Sequence, residues 1–128
     1  MLFRSIGSHV AELHRARGDS VHVVDDLSAG SLHNLKDFRD TANFRFSEAD
    51  LLTWDGLETA VAWADRIYHM AAIVGVKRIL ADPVNVMSTN VAATERLLRA
   101  VEEGGWNPRV IISSSSEVYG FKIGRAHV

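Results

Sequence analysis

The chain has 128 residues, of which 47% are hydrophobic, a net charge of −2 and no cysteine. This length allows one domain with a buried core, and the weak charge argues against nucleic acid or a membrane surface as a partner. Without cysteine there is no disulfide framework and no thiolate chemistry. No apolar run reaches the roughly 18 residues of a membrane span, and the first residues show no signal-peptide pattern, so we expect a cytoplasmic protein.

Short apolar runs alternate with helical patterns along the chain. The apolar spacing predicts helices over residues 7–17, 54–63 and 83–102. Runs rich in β-branched and aromatic residues predict strands over residues 21–24, 44–46, 67–70 and 110–113, and the last of these is expected to be buried. Residues 27–34 contain Ser, Gly and Asn and predict a loop. Strands that alternate with helices predict an α/β fold with a parallel sheet.

Four serines and a carboxylate follow the last predicted strand, from Ser113 to Glu117. In an open parallel sheet, ligands bind at the carboxyl ends of the strands, so this stretch is a candidate for chemistry. On these residues alone, a strand exit whose hydroxyl groups only cap the next turn is an equally good interpretation.

The stretch Ser-Ser-Ser-Ser-Glu-Val-Tyr-Gly (residues 113–120) resembles the Ser-Ser-x-x-Val-Tyr-Gly signature of the extended short-chain dehydrogenases/reductases, the NAD-dependent epimerase/dehydratase family. Three further stretches match that family in the same order: Ile-Gly-Ser-His (6–9), Val-Val-Asp-Asp-Leu (23–27) and His-Met-Ala-Ala (69–72) with Asn-Val-Ala-Ala-Thr (90–94) downstream. The resemblance implies a Rossmann-like parallel sheet with flanking helices that binds NAD.

The resemblance is incomplete at both ends of the chain. The family has a central first strand, between the strands predicted over 21–24 and 67–70, and then a Gly-x-x-Gly-x-x-Gly turn, of which Gly7 alone remains. The family's Tyr-x-x-x-Lys is also missing, because no lysine stands four residues after Tyr119. We therefore expect a truncated domain over residues 6–121. Residues 123–128 match the translation of a common sequencing adapter, and residues 2–5 match the translation of its reverse complement. Residues 1–5 and 122–128 are therefore expected to be artefactual tails, and two unusual natural termini are the alternative. Without its central strand, the chain is expected to fold poorly or to associate.

The resemblance assigns cofactor contacts to residues that follow the first two predicted strands. Asp25 lies about 18 residues after Gly7, where a carboxylate accepts hydrogen bonds from the adenosine ribose and repels a 2′-phosphate, which favours NAD over NADP. Asp26 resembles the family's second ribose contact, although a solvated turn acid is the alternative. Asp50 and Leu51 resemble a pair that reads adenine with its side chain and backbone, and a helix N-cap is the alternative for Asp50.

Further cofactor contacts are implied after the third and fourth predicted strands. The small residues Ala71 and Ala72 let the backbone approach the nicotinamide ribose, and Ser113 belongs to the same cofactor-binding set. Asn90 matches a buried asparagine that orders the active-site backbone. His69 is expected to be structural, and the histidines show no spacing typical of a metal site.

Ser115 matches the family's catalytic Ser/Thr, which hydrogen-bonds the reacting oxygen of the sugar. In the family, a tyrosine beside a lysine takes the proton from the hydroxyl on carbon 4, and hydride passes to NAD to leave a 4-keto sugar. Glu117 gives a Ser-x-Glu-x-Tyr-Gly pattern similar to that of dehydratases and decarboxylases, although many epimerase-like members also carry it. Glu117 is therefore the second catalytic candidate.

Together these matches imply the cofactor-binding part of an NAD-dependent nucleotide-sugar epimerase, inactive as a fragment. A 4,6-dehydratase or decarboxylase of the same family and a non-catalytic dinucleotide-binding module are the alternatives. Family members often dimerise through a helix pair, and the helix predicted over residues 83–102 is the candidate for one half of it.

Overall fold

A computed structural model describes residues 6–28, 41–73 and 75–115. It confirms the α/β class, with four short strands and four helices in these ranges. The helices are α1 (Ile6–Ala16), α2 (Leu57–Trp63), α3 (Val76–Ala81) and α4 (Pro83–Glu103), and the strands are β1 (Val21–Asp25), β2 (Phe44–Glu48), β3 (Arg66–His69) and β4 (Arg109–Ile112).

The strands form two parallel pairs. β1 pairs with β2, and Asp25 lies opposite Glu48 at their carboxyl ends. β3 pairs with β4, and His69 lies opposite Ile112. No hydrogen-bonded ladder joins the two pairs within the described residues. Because parallel neighbours share their direction, the carboxyl ends within each pair lie side by side.

A cleft of about 840 Å³ separates β1 from β3. Both strands line it along their length, and apolar side chains from α1, α2 and α4 complete its walls, among them Val10, Leu57 and Leu97. The family resemblance puts its central strand at this position, and the described residues contain no strand there.

Two small apolar clusters hold the helices against the strands. Ala11 of α1 is buried against Val21 and Phe44, among other side chains of β1 and β2. Leu57 of α2 and Leu97 of α4 are 3% and 4% exposed and lie in the second cluster. Burial of a leucine side chain contributes about 1.5–3 kcal/mol, so this contact is the main attachment of α4 to α2.

The end of α1 is also tied to β3. Gly18 adopts a positive φ of 85°, and the Asp19 N–H donates to the His14 carbonyl at 3.1 Å, which is the Schellman pattern of a helix C-terminus. The His14 ring bonds Asp19 Oδ2 at 2.7 Å through Nδ1 and the Tyr68 hydroxyl at 2.8 Å through Nε2. This chain of three side chains crosses the cleft and joins α1 to β3.

α4 begins where the sequence predicts, and its start is capped. The Asp82 carboxylate accepts a hydrogen bond from the Asn85 N–H at 3.1 Å, and Pro83 occupies the first turn, where no N–H is required. In the part of the chain that is described, no helix combines the length and the apolar character that a bilayer crossing demands.

Three expectations need correction. α2 begins at Leu57 rather than at residue 54, because the N–H groups of Thr53 and Trp54 both bond the Asp50 carbonyl in a separate turn. Asp50 is therefore not the N-cap of α2. The short helix α3 was not predicted. β4 is not buried in the described structure, where Ile112 is 47% exposed, because β3 is the described element that contacts β4 extensively and no described helix packs closely over its faces.

Candidate functional site

The carboxyl end of β1 places a buried carboxylate next to the end of β2. Asp25 is 6% exposed, and its Oδ1 accepts the Leu27 N–H at 2.7 Å. The Ala49 N–H donates to the Asp25 carbonyl at 3.1 Å, which extends the ladder by one bond beyond the two strands. Asp25 is thus held by its backbone and by its side chain, beside the segment that leads to Asp50.

The next two residues form a tight turn. Leu27 has a positive φ of 56°, which a leucine rarely adopts, and the Asx turn with Asp25 stabilises it. Asp26 is exposed, and its Oδ1 accepts the Ser28 N–H at 3.0 Å. Partial burial alone would raise the pKa of Asp26, but hydrogen bonds from the backbone and side chain of Ser28 outweigh it and lower that pKa. Asp26 is therefore an exposed carboxylate within the turn, whereas Asp25 is buried.

The turn after β2 presents a hydrogen-bond acceptor next to a donor. Asp50 Oδ1 accepts the Leu52 N–H at 2.9 Å. Among the hydrogen bonds of the described residues, none involves Asp50 Oδ2 or the Leu51 N–H. Asp50 is exposed and Leu51 is half-buried. An acceptor and a donor on adjacent residues match the edge of adenine, whose N6 donates and whose N1 accepts.

Arg96 of α4 reaches across to the same turn. One terminal nitrogen of its guanidinium donates to the Leu51 carbonyl, and the other donates to the Trp54 carbonyl at 2.8 Å. Glu58 Oε1 lies 4.0 Å from the second nitrogen. Arg96 was not among the site residues predicted from the sequence. The available signal was an arginine on the helix face that also carries Ala93, Leu97 and Ala100.

The carboxyl end of β3 carries a buried histidine. His69 is 6% exposed, and its Nε2 lies 2.9 Å from Thr94 Oγ1. The Thr94 hydroxyl donates to the Asn90 carbonyl at 2.9 Å, so it must accept from a protonated His69 Nε2. Burial lowers the pKa of His69, which favours this neutral ring. His69 therefore serves as a structural donor that joins β3 to α4.

Asn90 holds the loop that follows β3. Its Oδ1 accepts the Ile73 N–H at 2.7 Å, and its Nδ2 donates to the Ile73 carbonyl at 3.0 Å. Ala71 and Ala72 lie in the loop between His69 and this clamp and have no bulky side chains. Asn90 thus fixes the backbone at the point where the family resemblance expects a cofactor to pass.

The serines after β4 lie at the neighbouring strand end. The Ser113 N–H donates to the His69 carbonyl at 3.1 Å, which continues the ladder of β3 and β4. Ser113 and Ser115 are both exposed. Glu117 lies outside the described residues, as do residues 29–34 of the predicted loop and both predicted tails.

The predicted site residues thus fall into two groups, one at each pair of strand ends. Gly7 lies apart from both, in the first turn of α1 and on the wall of the cleft. The described ranges contain no cluster of three or more His, Cys, Asp or Glu side chains that could hold a metal ion. Carboxylates and backbone donors are groups that bind ribose hydroxyls and a base, so the first group is suited to a nucleoside.

The sequence matches the GDP-mannose 4,6 dehydratase family over residues 5–124. It is 33% identical over 115 residues to a UDP-N-acetyl-alpha-D-glucosaminuronate decarboxylase of Bacillus cytotoxicus. The aligned region covers 90% of this chain and 35% of that protein. It is 37% identical over 117 residues to a UDP-glucose 4-epimerase of Mycolicibacterium smegmatis, again over 90% of the chain and 37% of that protein. The chain spans about a third of the length of these two relatives.

Solved structures show the same relationship. A dTDP-glucose 4,6-dehydratase of Streptomyces venezuelae superposes with a TM-score of 0.81 at 33% identity, covering 90% of this chain and 38% of that one. A UDP-N-acetylglucosamine 4-epimerase of Methanobrevibacter ruminantium superposes with a TM-score of 0.79 at 30% identity, covering 96% of this chain and 38% of that one. These relatives are decarboxylases, epimerases and dehydratases. The chain belongs to the NAD-dependent epimerase/dehydratase family of short-chain dehydrogenases/reductases, within which it matches the GDP-mannose 4,6 dehydratase group.

Proposed function

We propose that this chain supplies the adenosine-binding half of an NAD site in a nucleotide-sugar enzyme. One observation carries the proposal: the ends of β1 and β2 bring a buried carboxylate, Asp25, next to a turn that offers an acceptor on Asp50 and a donor on Leu51. Asp25 and Asp26 would bind the ribose hydroxyls, and Asp50 with Leu51 would bind the adenine edge. The S. venezuelae dehydratase was solved with NAD bound.

The carboxylate also sets the choice of dinucleotide. A 2′-phosphate beside Asp25 would meet a negative charge that is only 6% exposed and poorly screened by solvent. No arginine or lysine occurs in the three positions after Asp26. The site is therefore proposed to accept NAD and to reject NADP.

The second group of residues is proposed to face the reacting end of the cofactor. NAD, when bound, accepts or returns a hydride. The Asn90 clamp on Ile73 would keep the Ala71–Ala72 backbone in place beside the cofactor. The Ser115 hydroxyl would hydrogen-bond the oxygen on carbon 4 of the sugar as that oxygen loses its proton.

The proposed substrate is a nucleotide sugar, which is oxidised at carbon 4 to a 4-keto sugar. Return of hydride to the opposite face would make the enzyme a 4-epimerase. The relatives equally support a 4,6-dehydratase or a decarboxylase, and Glu117 is the sequence feature that favours this second candidate. A carboxylate two residues after Ser115 would act as an additional acid or base in such an elimination.

The test is a binding titration of the protein at its natural length with NAD and NADP. We expect tighter binding of NAD, and we expect Asp25→Asn to weaken NAD binding while it narrows the difference between the two dinucleotides. Asp65→Asn is the matched control, because Asp65 is an exposed acid before β3, at the opposite end of a strand. Tighter binding of NADP by the unchanged protein would refute the assignment of Asp25.

Product analysis then separates the candidate reactions. UDP-glucose, UDP-glucuronic acid and dTDP-glucose are each incubated with the protein and NAD, and the sugars are identified by NMR. A change of configuration at carbon 4 indicates an epimerase, a 4-keto-6-deoxy sugar indicates a dehydratase, and a pentose indicates a decarboxylase. Ser115→Ala is expected to reduce any of these activities, and no product from any nucleotide sugar would refute the catalytic proposal.

We also propose that α4 contributes to a homodimer. An apolar stripe runs along its exposed side at intervals of three, four and seven residues, typical of helix–helix packing. Its members are Val84, Met87, Val91 and Leu98, which are 69%, 64%, 60% and 43% exposed. A second copy of the same helix would cover this stripe.

A further inference from the structure

We propose that Arg96 is a positioning residue that sets the selectivity of the Asp50–Leu51 turn for adenine over other purines. The inference rests on the NAD site proposed above. It concerns a residue on α4, which lies more than 40 positions along the chain from the turn that it holds.

Arg96 acts on the peptide unit that joins Leu51 to Leu52. The carbonyl of this unit accepts a hydrogen bond from Arg96, and its N–H donates to Asp50 Oδ1 at 2.9 Å. Because a peptide unit is planar, the two bonds fix its tilt from both sides. Arg96 thereby helps to position the Asp50 carboxylate, although both of its hydrogen bonds to this turn go to carbonyl groups.

The second bond of Arg96 closes the other end of the turn. The guanidinium spans the carbonyls of Leu51 and Trp54, and the latter distance is 2.8 Å. Its planar fork can serve two acceptors at once, which a lysine ammonium on a flexible stem does less well. The turn between β2 and α2 is thus held by one side chain at two of its carbonyls.

α4 is well placed to give Arg96 a defined position. Three of its residues near Arg96, Ala93, Leu97 and Ala100, are buried, and two of them pack in the cluster that contains Leu57 and Val61 of α2. The Arg96 side chain is 28% exposed, and Glu58 supplies a nearby negative charge at 4.0 Å. Partial burial strengthens the hydrogen bonds of the guanidinium relative to those of a fully solvated one.

Selectivity for the base follows from this geometry. Adenine presents a donor at N6 and an acceptor at N1, which suit the free Asp50 oxygen and the Leu51 N–H. Hypoxanthine presents an acceptor and a donor at the same two positions, so a rigid turn rejects it. In a turn released from Arg96, the Leu51–Leu52 unit is free to rotate and the Leu52 N–H no longer anchors Asp50 Oδ1, so the acceptor that distinguishes adenine from hypoxanthine loses its fixed position.

The experiment compares NAD with nicotinamide hypoxanthine dinucleotide, which differs only in the base, in titrations of the protein at its natural length. For Arg96→Met we expect the preference for NAD to fall about tenfold, mainly through weaker binding of NAD, a change equivalent to about one or two hydrogen bonds. Arg96→Lys keeps the charge but replaces the planar fork with a single nitrogen, and it is expected to restore part of the preference. Arg99→Met is the matched control, since Arg99 is exposed and bonds Glu95 on its own helix.

Each outcome has a defined meaning. An equal loss of affinity for both dinucleotides in Arg96→Met, or no loss of preference, would overturn the role of Arg96 in selectivity. An unchanged protein that binds NAD without preferring it to the hypoxanthine analogue would overturn the same inference and leave the NAD site standing. An unchanged protein that binds neither dinucleotide would refute the NAD site itself. If circular dichroism shows that Arg96→Met is unfolded, the test rests on Arg96→Lys. An Arg96→Lys protein that prefers NAD to the hypoxanthine analogue as strongly as the unchanged protein does would refute the inference.

Discussion

Replacement of Asn90 should lower the local stability of the loop after β3 by an amount that follows from its two hydrogen bonds to this loop. Asn90 makes two hydrogen bonds to the backbone of Ile73, at 2.7 and 3.0 Å. A net contribution of about 0.5–1.5 kcal/mol for each bond predicts that Asn90→Leu costs about 1–3 kcal/mol in local stability. Since 1.4 kcal/mol is about a factor of ten, the Ile73 amide should exchange with solvent about 5- to 150-fold faster.

Asn90→Asp tests the direction of the two bonds. The carboxylate can still accept the Ile73 N–H, but its second oxygen then faces the Ile73 carbonyl, where Asn90 Nδ2 now donates. This repulsion raises the pKa of the introduced carboxyl in the folded state. Its destabilising effect should therefore be present at neutral pH and disappear in acid, when the protonated group can donate to Ile73.

The assay is hydrogen exchange of the peptide around Ile73, followed by mass spectrometry or NMR. Asn85→Leu provides the matched control, because Asn85 is an exposed asparagine on the same helix and has no bond to Ile73. Unchanged exchange at Ile73 in Asn90→Leu would refute the clamp. Equal protection in Asn90→Asp and the unchanged protein at neutral pH would refute the assignment of donor and acceptor.

Two further predictions concern pH and association. Burial lowers the pKa of His69, and burial together with the charge of Arg45 lowers the pKa of His22. The folded state therefore favours the neutral form of both rings. The free energy of unfolding should decrease as the pH falls below about 6.5, because the unfolded chain then binds protons that the folded state does not. Urea titrations between pH 7 and 5 should show this slope, and His22→Gln should flatten it; a stability independent of pH in this range would contradict the prediction. Met87→Lys should shift the protein from dimer to monomer in sedimentation experiments, whereas an unchanged sedimentation coefficient would exclude α4 from the interface.

The sequence was sufficient to predict the position of a helix or strand where local residue preferences and the tertiary structure agree. α4 begins at Pro83 because Asp82 is a good cap and proline suits the first turn, and both signals are readable from the sequence. The strands were located to within a few residues because β-branched and aromatic side chains are concentrated in them. Asp25 and Asp50 were placed at strand ends by the same reasoning.

The remaining features depend on contacts between distant parts of the chain. The start of α2 was misplaced because the Asp50 carbonyl recruits the N–H groups of Thr53 and Trp54, a preference that helix periodicity does not contain. The bonds from Arg96 to this turn join positions 42 and 45 residues apart and leave no local pattern. The exposure of β4 depends on which elements cover it, and its apolar composition alone suggested burial.

The division of the strands into two separate pairs has a consequence for how the chain folds. β1 and β2 close a loop that is about half as long as the one closed by β3 and β4, and a halved loop lowers the entropic cost of closure by roughly 0.6 kcal/mol. The β1–β2 pair can therefore form first, with α1 against it. The β3–β4 pair has to await α4, whose attachment to α2 joins the two halves. We expect the two halves to differ in local stability on either side of this cleft, and hydrogen exchange of the β1 and β3 amides measures that difference.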